Sequence, residues 1–132
     1  MPAVLDTHAA IWYLVDSRKL SESVYELIDN AAAAGTPTYI SAVSLIEVIY
    51  LVERGRIVLD AFERFAVELQ RRNPAFKEVP VDTQIATALT RIPRAAIPDM
   101  PDRIIAATAL HLGLPVITRD RRIQSAGIQT IW

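Results

Sequence analysis

The sequence predicts an α/β fold in three layers, with helices on both faces of a central, mostly parallel sheet of four to five strands. Short apolar runs rich in β-branched residues alternate with segments of helical periodicity, which is the order that βαβ units produce. Hydrophobic residues make up 52% of the 132 residues, slightly more than the usual ~45–50%, so a substantial core is expected. A chain of this length fits one domain over residues 1–132.

Two strands and three helices are expected in the first 55 residues. Ser23 and Glu26 have the spacing of a capping box in the second helix, as do Ser44 and Glu47 in the third, and Gly35 is a stop signal. The expected elements are a strand over 3–5, a helix over Thr7–Val15, a helix from Leu20-Ser21 to Ala33, a strand over Thr38–Ser41 and a helix from Ser41 to near Gly55.

The rest of the chain continues the alternation of strands and helices. Three prolines within residues 93–101 predict a loop there, and Gly113 is expected to cap the helix that follows it. The expected elements are a helix from Asp60 to Arg72 broken by Asn73-Pro74, a strand over Lys77–Val81, a helix from Asp82 to Ile92, a helix over Asp102–Leu112, a strand over Pro115–Thr118, a helical turn over Arg121–Ser125 and a strand over Ile128–Ile131.

Composition excludes several classes of function. With no cysteine, the chain can form neither a disulfide framework nor a thiolate zinc site. The start carries no export signal, and the longest apolar stretch, Ile104 to Ile117, is shorter than the ~20 residues that span a bilayer. We therefore expect a soluble, cytoplasmic protein. The four glycines form neither a dinucleotide fingerprint nor a P-loop.

Charge is distributed unevenly along the chain. Residues 1–66 hold nine acids and five bases, whereas residues 67–132 hold six acids and nine bases. Most of the bases are Arg, whose planar fork suits phosphate oxygens. Frequent use of Arg can equally reflect the composition of the genome. Substrate choice is expected to depend on loop shape and on which arginines lie around the groove, the candidates being Arg54, Arg56, Arg71, Arg72, Arg119 and Arg121.

Two carboxylates are expected at the rim of the sheet where the strands end. Asp6 ends the first strand and Asp120 lies just past the fourth, and ligands of open parallel sheets bind at this rim. The alternative interpretation is that each Asp only caps the helix that follows it.

Two further acids stand in apolar helices. Glu47 is the only charged residue between Ala42 and Val52, so burying it would cost several kcal/mol without a cationic partner; a capping role toward Ser44 is the alternative. Asp102 begins an apolar helix, where the helix dipole alone could explain it.

The carboxylates together favour a metal site. Gathered acids repel one another, and a cluster of oxygen ligands without paired His or Cys favours Mg²⁺ or Mn²⁺ over zinc. Such ions serve phosphoryl transfer or phosphodiester hydrolysis. His8, near Asp6, is expected to be packed and hydrogen-bonded, and the alternative is that it orients a water or a phosphate. The residues expected to be core rather than base-stacking platforms are Trp12, Tyr13, Tyr25, Tyr50 and Trp132. The four expected ligands, which are also the expected catalytic residues, are Asp6, Glu47, Asp102 and Asp120.

Four sequence blocks, in order, resemble the PIN-domain ribonucleases, and in particular the VapC-type toxins of bacterial toxin–antitoxin pairs. The resemblance covers essentially the whole chain, and relatives often carry a His where this chain has Ala96-Ile97-Pro98. The blocks are Leu5-Asp6-Thr7-His8-Ala9, Ser41-Ala42-Val43-Ser44-Leu45-Ile46-Glu47, Asp99-Met100-Pro101-Asp102-Arg103-Ile104-Ile105-Ala106-Ala107-Thr108-Ala109 and Ile117-Thr118-Arg119-Asp120.

The resemblance implies a metal-dependent endoribonuclease. It implies that the four acids bind Mg²⁺ or Mn²⁺ and hydrolyse RNA, with Thr118, Asp99 and Thr7 in supporting positions. It also implies a homodimer neutralised by a small antitoxin of the VapB type, with contacts expected on helices 22–34 and 42–54. The alternatives are a Mg²⁺-dependent phosphatase or phosphoacceptor domain with Asp6 as nucleophile, and an inactive binding module of the same fold.

Asp99 and Asp102 are expected to differ in role. Asp102 stands on a regular helix, so we expect it to be the metal ligand. Asp99 is expected in a proline-bounded loop, facing either the metal or Arg103, and supporting the site from outside the ligand set.

Overall fold

A computed structural model describes residues 2–71 and 75–132 and contains one parallel sheet. Its five strands lie in the order β3-β2-β1-β4-β5, and every neighbouring pair is parallel. The predicted α/β class and mostly parallel sheet are therefore confirmed. The strands are β1 (Val4–Leu5), β2 (Thr38–Ser41), β3 (Phe76–Val79), β4 (Val116–Ile117) and β5 (Thr130–Ile131).

Seven helices connect the strands in the described part of the chain. The predicted boundaries are matched to within about three residues; the expected break at Asn73-Pro74 and the predicted helix end at Arg72 lie outside the described residues. The helices are α1 (Thr7–Leu14), α2 (Glu22–Ala33), α3 (Ala42–Glu53), α4 (Ala61–Gln70), α5 (Thr83–Leu89), α6 (Met100–Leu112) and α7 (Arg121–Ser125).

The sheet separates two hydrophobic clusters, which confirms the three layers. Successive residues of a strand point to opposite faces, so Leu5 packs with α1, α2 and α4 while its neighbour Val4 packs with α5, α6 and α7. Both side chains are fully buried. A strand buried on both faces explains why β1 is apolar throughout until Asp6.

The helix caps differ from those expected. Ser21, rather than a Ser23–Glu26 box, caps α2 by accepting a hydrogen bond from the Val24 amide at 3.3 Å. Ser41 caps α3 by accepting from the Val43 amide. The proposed Ser44–Glu47 box is wrong, because α3 begins at Ala42, two residues before Ser44, and leaves Ser44 inside the helix.

Helix α6 begins earlier than predicted. Asp99 is its N-cap, accepting a hydrogen bond from the Asp102 amide at 3.2 Å, and Pro101 lies in the first turn. Proline is tolerated there because the first-turn amides have no partner within the helix. The prediction that Asp102 begins the helix after a loop through residue 101 is therefore wrong.

No helix in the described ranges is both long enough and apolar enough to cross a membrane.

Gly113 ends α6 in the left-handed conformation, with φ of 68°. A Cβ there would meet nothing within 4 Å, so only backbone strain opposes a substitution. We expect Gly113→Ala to lower the free energy of unfolding by about 1 kcal/mol. Gly113→Asn is the matched variant and should lose less, because Asn tolerates this conformation. Urea unfolding of both variants measures the difference, and an equal loss would contradict the strain argument.

Candidate active site

The acids selected from the sequence lie together in one cleft. The cleft is open, has a volume of about 600 Å³, and lies at the edge of the sheet where the strands end. Its acidic residues come from four separate elements or their caps. They are Asp6, Glu47, Asp99, Asp102 and Asp120.

Backbone pairing sets Asp6 beside the segment that carries Asp120. The Asp6 amide donates to the Ile117 carbonyl at 3.1 Å, which continues the β1–β4 pairing by one residue. The Thr118 hydroxyl accepts a hydrogen bond from the Asp120 amide at 2.9 Å. Thr118 therefore contacts both Asp120 and Asp6.

Asp6 and Asp120 also cap helices. Asp6 Oδ1 accepts from the Ala9 amide at 2.8 Å, and Asp120 Oδ1 accepts from the Arg122 amide at 2.9 Å. The interpretation of Asp6 and Asp120 as helix caps is therefore confirmed. A carboxylate has two oxygens, so capping leaves each residue a second oxygen for another ligand.

Glu47 is fixed by a buried hydroxyl pair. The Thr7 hydroxyl donates to Glu47 Oε1, and the Ser44 hydroxyl lies 2.9 Å from the Thr7 hydroxyl. Because Thr7 has one proton and gives it to Glu47, Ser44 is the donor to Thr7. Thr7 and Ser44 are almost fully buried, at 2% and 0% exposure. Sequence reasoning had assigned Ser44 to a cap and missed this role.

Burial and neighbouring carboxylates raise the pKa values of Asp102 and Asp6. Partial burial, and then the charges of Asp99, Asp120, Glu47 and Asp6, raise the pKa of Asp102 to about 7. Burial also raises the pKa of Asp6, while hydrogen bonds from Thr118 and the Ala9 amide oppose that rise. The cleft therefore concentrates negative charge that its own basic residues leave incompletely balanced.

The donor set fits a hard divalent cation. All the acidic ligands offer oxygen, the ligand type that Mg²⁺ and Mn²⁺ take. Among residues 2–71 and 75–132, however, no three acidic or imidazole side chains stand in a geometry that would already hold an ion. Like charges that repel one another are expected to stay apart until a cation lies between them.

Asp99 and Arg103 do not face each other. Arg103 points away from the cleft and donates to the Ile92 and Leu89 carbonyls at 3.0 and 3.3 Å. The alternative in which Asp99 pairs with Arg103 is therefore wrong. Ile97, in the segment where relatives often carry His, is 1% exposed and packs in the core.

Aromatic and basic residues complete the lining of the cleft. His8 is exposed and Trp12 is partly buried, and both line the cleft, so the expectation that they pack in the core is wrong for His8 and incomplete for Trp12. Residues four apart share a face of a helix. Because α1 starts at the rim beside Asp6, the four-residue spacing of His8 and Trp12 could have predicted that both line the cleft. Arg119 and Arg122 line it as well.

Comparison with known proteins identifies similar chains. The PIN domain family model matches residues 3–128. Ribonuclease VapC22 of Mycobacterium tuberculosis is 29% identical over 122 residues, covering 92% of this chain and 89% of that protein.

Solved structures with similar folds include VapBC2 from Rickettsia felis bound to a DNA fragment from its promoter. It has a TM-score of 0.73 and 15% identity, and covers 99% of this chain and 98% of its own. DNA-bound VapBC from Salmonella typhimurium has a TM-score of 0.69 and 25% identity, covering 99% and 97%.

The raised pKa of Asp102 predicts a pH-dependent loss of stability without metal. The folded protein holds this proton more tightly than the unfolded chain, whose Asp has its ordinary pKa of ~4, so stability falls as the pH rises from about 4 to 7. Asp102→Asn removes that loss. In EDTA at pH 7.5 we expect its Tm to exceed the parent's by roughly 2–5 °C, with no gain near pH 4.

Glu53→Gln is the matched control for this experiment, because it removes one negative charge from an exposed site on α3 that does not line the cleft. Thermal unfolding followed by circular dichroism measures both variants. An equal gain for both would show that net charge, rather than the cluster, sets the effect.

Proposed function

The chain belongs to the PIN-domain family, and we propose that it is a Mg²⁺- or Mn²⁺-dependent endoribonuclease, the toxin of a type II toxin–antitoxin pair. The observation that carries the proposal is the gathering of acidic side chains from separate elements in one open cleft. Similarity to a ribonuclease VapC over most of both chains supports RNA as the substrate. We propose that residues 1–132 act as one PIN domain, in the cytoplasm.

Four residues would hold the metal, and three would keep them in place. A bound divalent cation supplies an activated water and offsets the charge that develops on the phosphate. Thr7 holds Glu47, Thr118 holds the Asp120 backbone, and Asp99 fixes the first turn of α6 below Asp102. The proposed ligands and catalytic residues are Asp6, Glu47, Asp102 and Asp120.

The proposed partners are a second copy of the chain and a small VapB-like antitoxin. Exposed apolar side chains support a protein contact on α3, where Ile46, Ile49 and Tyr50 are 55%, 38% and 56% exposed. Helix α2, the other expected contact, contributes none of the large exposed hydrophobic side chains of the described residues. The contact is therefore better supported for α3.

The alternatives have less support from the geometry. A phosphoacceptor site would need Asp6 free as nucleophile with a second acid close behind it. Here Asp6 caps α1, and Thr7 is committed to Glu47. An inactive binding module would have no need of the complete acidic set.

Removing a single proposed ligand should abolish RNA cleavage. We expect Asp6→Asn, Glu47→Gln and Asp120→Asn each to lower the cleavage rate more than about 100-fold, beyond the range usual for supporting residues. Gel assays with single-stranded and structured RNAs, with Mg²⁺ and with EDTA, measure this. Glu53→Gln, on the same helix as Glu47 but outside the cleft, should keep full activity.

A second readout separates metal binding from catalysis. Because a ligand of the native state stabilises it by mass action, millimolar Mg²⁺ or Mn²⁺ should raise the Tm of the parent, and raise it less in the three variants. Cleavage in EDTA at the Mg²⁺ rate, or full activity of a folded ligand variant, would contradict the assignment.

The Thr7 hydroxyl should matter through Glu47. Thr7→Val keeps the shape of the side chain but removes the donor to Glu47 and the acceptor for Ser44. We expect a 10–100-fold loss of cleavage and a higher Mg²⁺ concentration for half-maximal rate. Thr7→Ser retains the hydroxyl and is the matched control. Equal rates for the two variants at every Mg²⁺ concentration would show that Thr7 only packs.

A further inference from the structure

Aromatic and basic side chains line the cleft together with the acids. The guanidinium carbon of Arg119 lies 4.8 Å from the ring centroid of Trp12 and 5.3 Å from that of Trp132. The two indoles meet edge to face at 5.9 Å. His8 lies against Trp12 at 5.8 Å between ring centroids. We call Trp12, Arg119 and Trp132 the arginine clamp.

Arg119 keeps its donors free, unlike the other arginine of the cleft. Arg122 forms an ion pair with Asp120 at 3.4 Å. Arg119 is exposed and takes part in no ion pair or side-chain hydrogen bond of the described residues. The indoles hold its guanidinium by cation–π contact, which leaves its N–H groups available to a ligand.

The chemistry of the clamp favours a phosphate of a nucleic acid. A guanidinium offers a planar fork of donors that matches two phosphate oxygens. A pre-stacked fork also loses less side-chain entropy when it binds. The Lys19 ammonium, 5.9 Å from the Trp12 ring centroid, adds a second positive charge near Trp12. An anion can therefore bind at Arg119 although carboxylates line the same cleft.

Chain connectivity places the clamp next to the proposed chemistry. Arg119 lies between Thr118 and Asp120, and Trp12 lies on the helix that Asp6 caps. Trp12 and Arg119 line the same cleft as the carboxylates, and Trp132 packs against both of them. A strand with one phosphate at the carboxylates would thus pass the clamp with a neighbouring phosphate.

We propose that the arginine clamp binds a backbone phosphate of the RNA strand beside the phosphate that is cut, and that Arg119 is a positioning residue. The inference rests on the proposed RNA cleavage and extends it to residues outside the acidic set. The competing outcome is that Arg119 only holds the Trp132 end of the chain against α1.

The two tryptophans of the chain provide a direct probe, because both belong to the clamp. Full-length protein carrying Asp6→Asn, which should not cut, is titrated with a short single-stranded RNA in Mg²⁺ while tryptophan fluorescence is recorded. We expect a saturable change in fluorescence with RNA. We expect Arg119→Gln to weaken binding about tenfold, the value of roughly one charge-assisted contact.

Arg121 was expected with Arg119 around the groove, but it is exposed and does not line the cleft. Arg121→Gln is therefore the matched control, since it removes the same charge two positions away. Loss of one phosphate contact to a single strand should lower the slope of log K against log salt by about 0.7 for Arg119→Gln, with no such change for Arg121→Gln. Arg119→Lys should keep most of that slope but bind more weakly than Arg119, because an ammonium lacks the planar fork.

In otherwise unaltered protein, Arg119→Gln should raise KM with little change in kcat, which a purely structural role would not produce. Equal affinities and slopes for Arg119→Gln and Arg121→Gln, with unchanged Tm, would overturn the proposal. A lower Tm for Arg119→Gln with unchanged RNA affinity would show that the stack only holds Trp132. If the parent protein neither binds nor cuts RNA, the proposed function itself fails, and that result is distinct from both.

Discussion

Unbalanced negative charge at one edge of the sheet is the constraint on which the site depends. Burial and the charges of the neighbouring carboxylates together raise the pKa of Asp102. A fold that gathers such groups needs other interactions to hold them. Here amides at helix starts and buried hydroxyls do so, as seen in the Ala9 amide on Asp6 and the Thr7 hydroxyl on Glu47. The same arrangement makes a divalent cation a favourable ligand.

The topology of the sheet explains why these groups meet. From β1 the chain first builds outward through β2 and β3, then returns to place β4 and β5 on the other side of β1. Helices after β1 and β4 therefore leave in opposite directions, and a crevice opens between the ends of the two strands. Asp6 and Asp120 lie at that crevice. Strands β1 and β4 are short and buried, and the backbone hydrogen bonds between them set the separation of Asp6 and Asp120.

Much of this arrangement could be predicted from the sequence, because it follows from local patterns. Apolar runs followed by Asp predicted where the strands end, and Gly113 predicted the end of α6. The errors came from contacts that periodicity does not encode. Ser44 has the right spacing for a cap but bonds to Thr7, 37 residues away. Asp99 stands between prolines and suggests a loop, yet it caps α6. Trp12 is a residue type that usually packs in the core. Its position on α1, the helix that starts at the rim, is the signal that it lines the cleft.

The acidic residues and the arginine clamp contribute differently to the binding of a polyanion in this cleft. Carboxylates repel phosphate until a cation lies between them, so they cannot supply affinity for the strand by themselves. A paired arginine such as Arg122 contributes little more, because its charge is already offset by Asp120. An arginine held by aromatic faces keeps its full charge, and the indoles limit its motion without neutralising it. Stacking on Trp12 and Trp132 holds the Arg119 guanidinium without an ion pair to the acids. The cleft can therefore present a positive group and negative groups that do not neutralise each other.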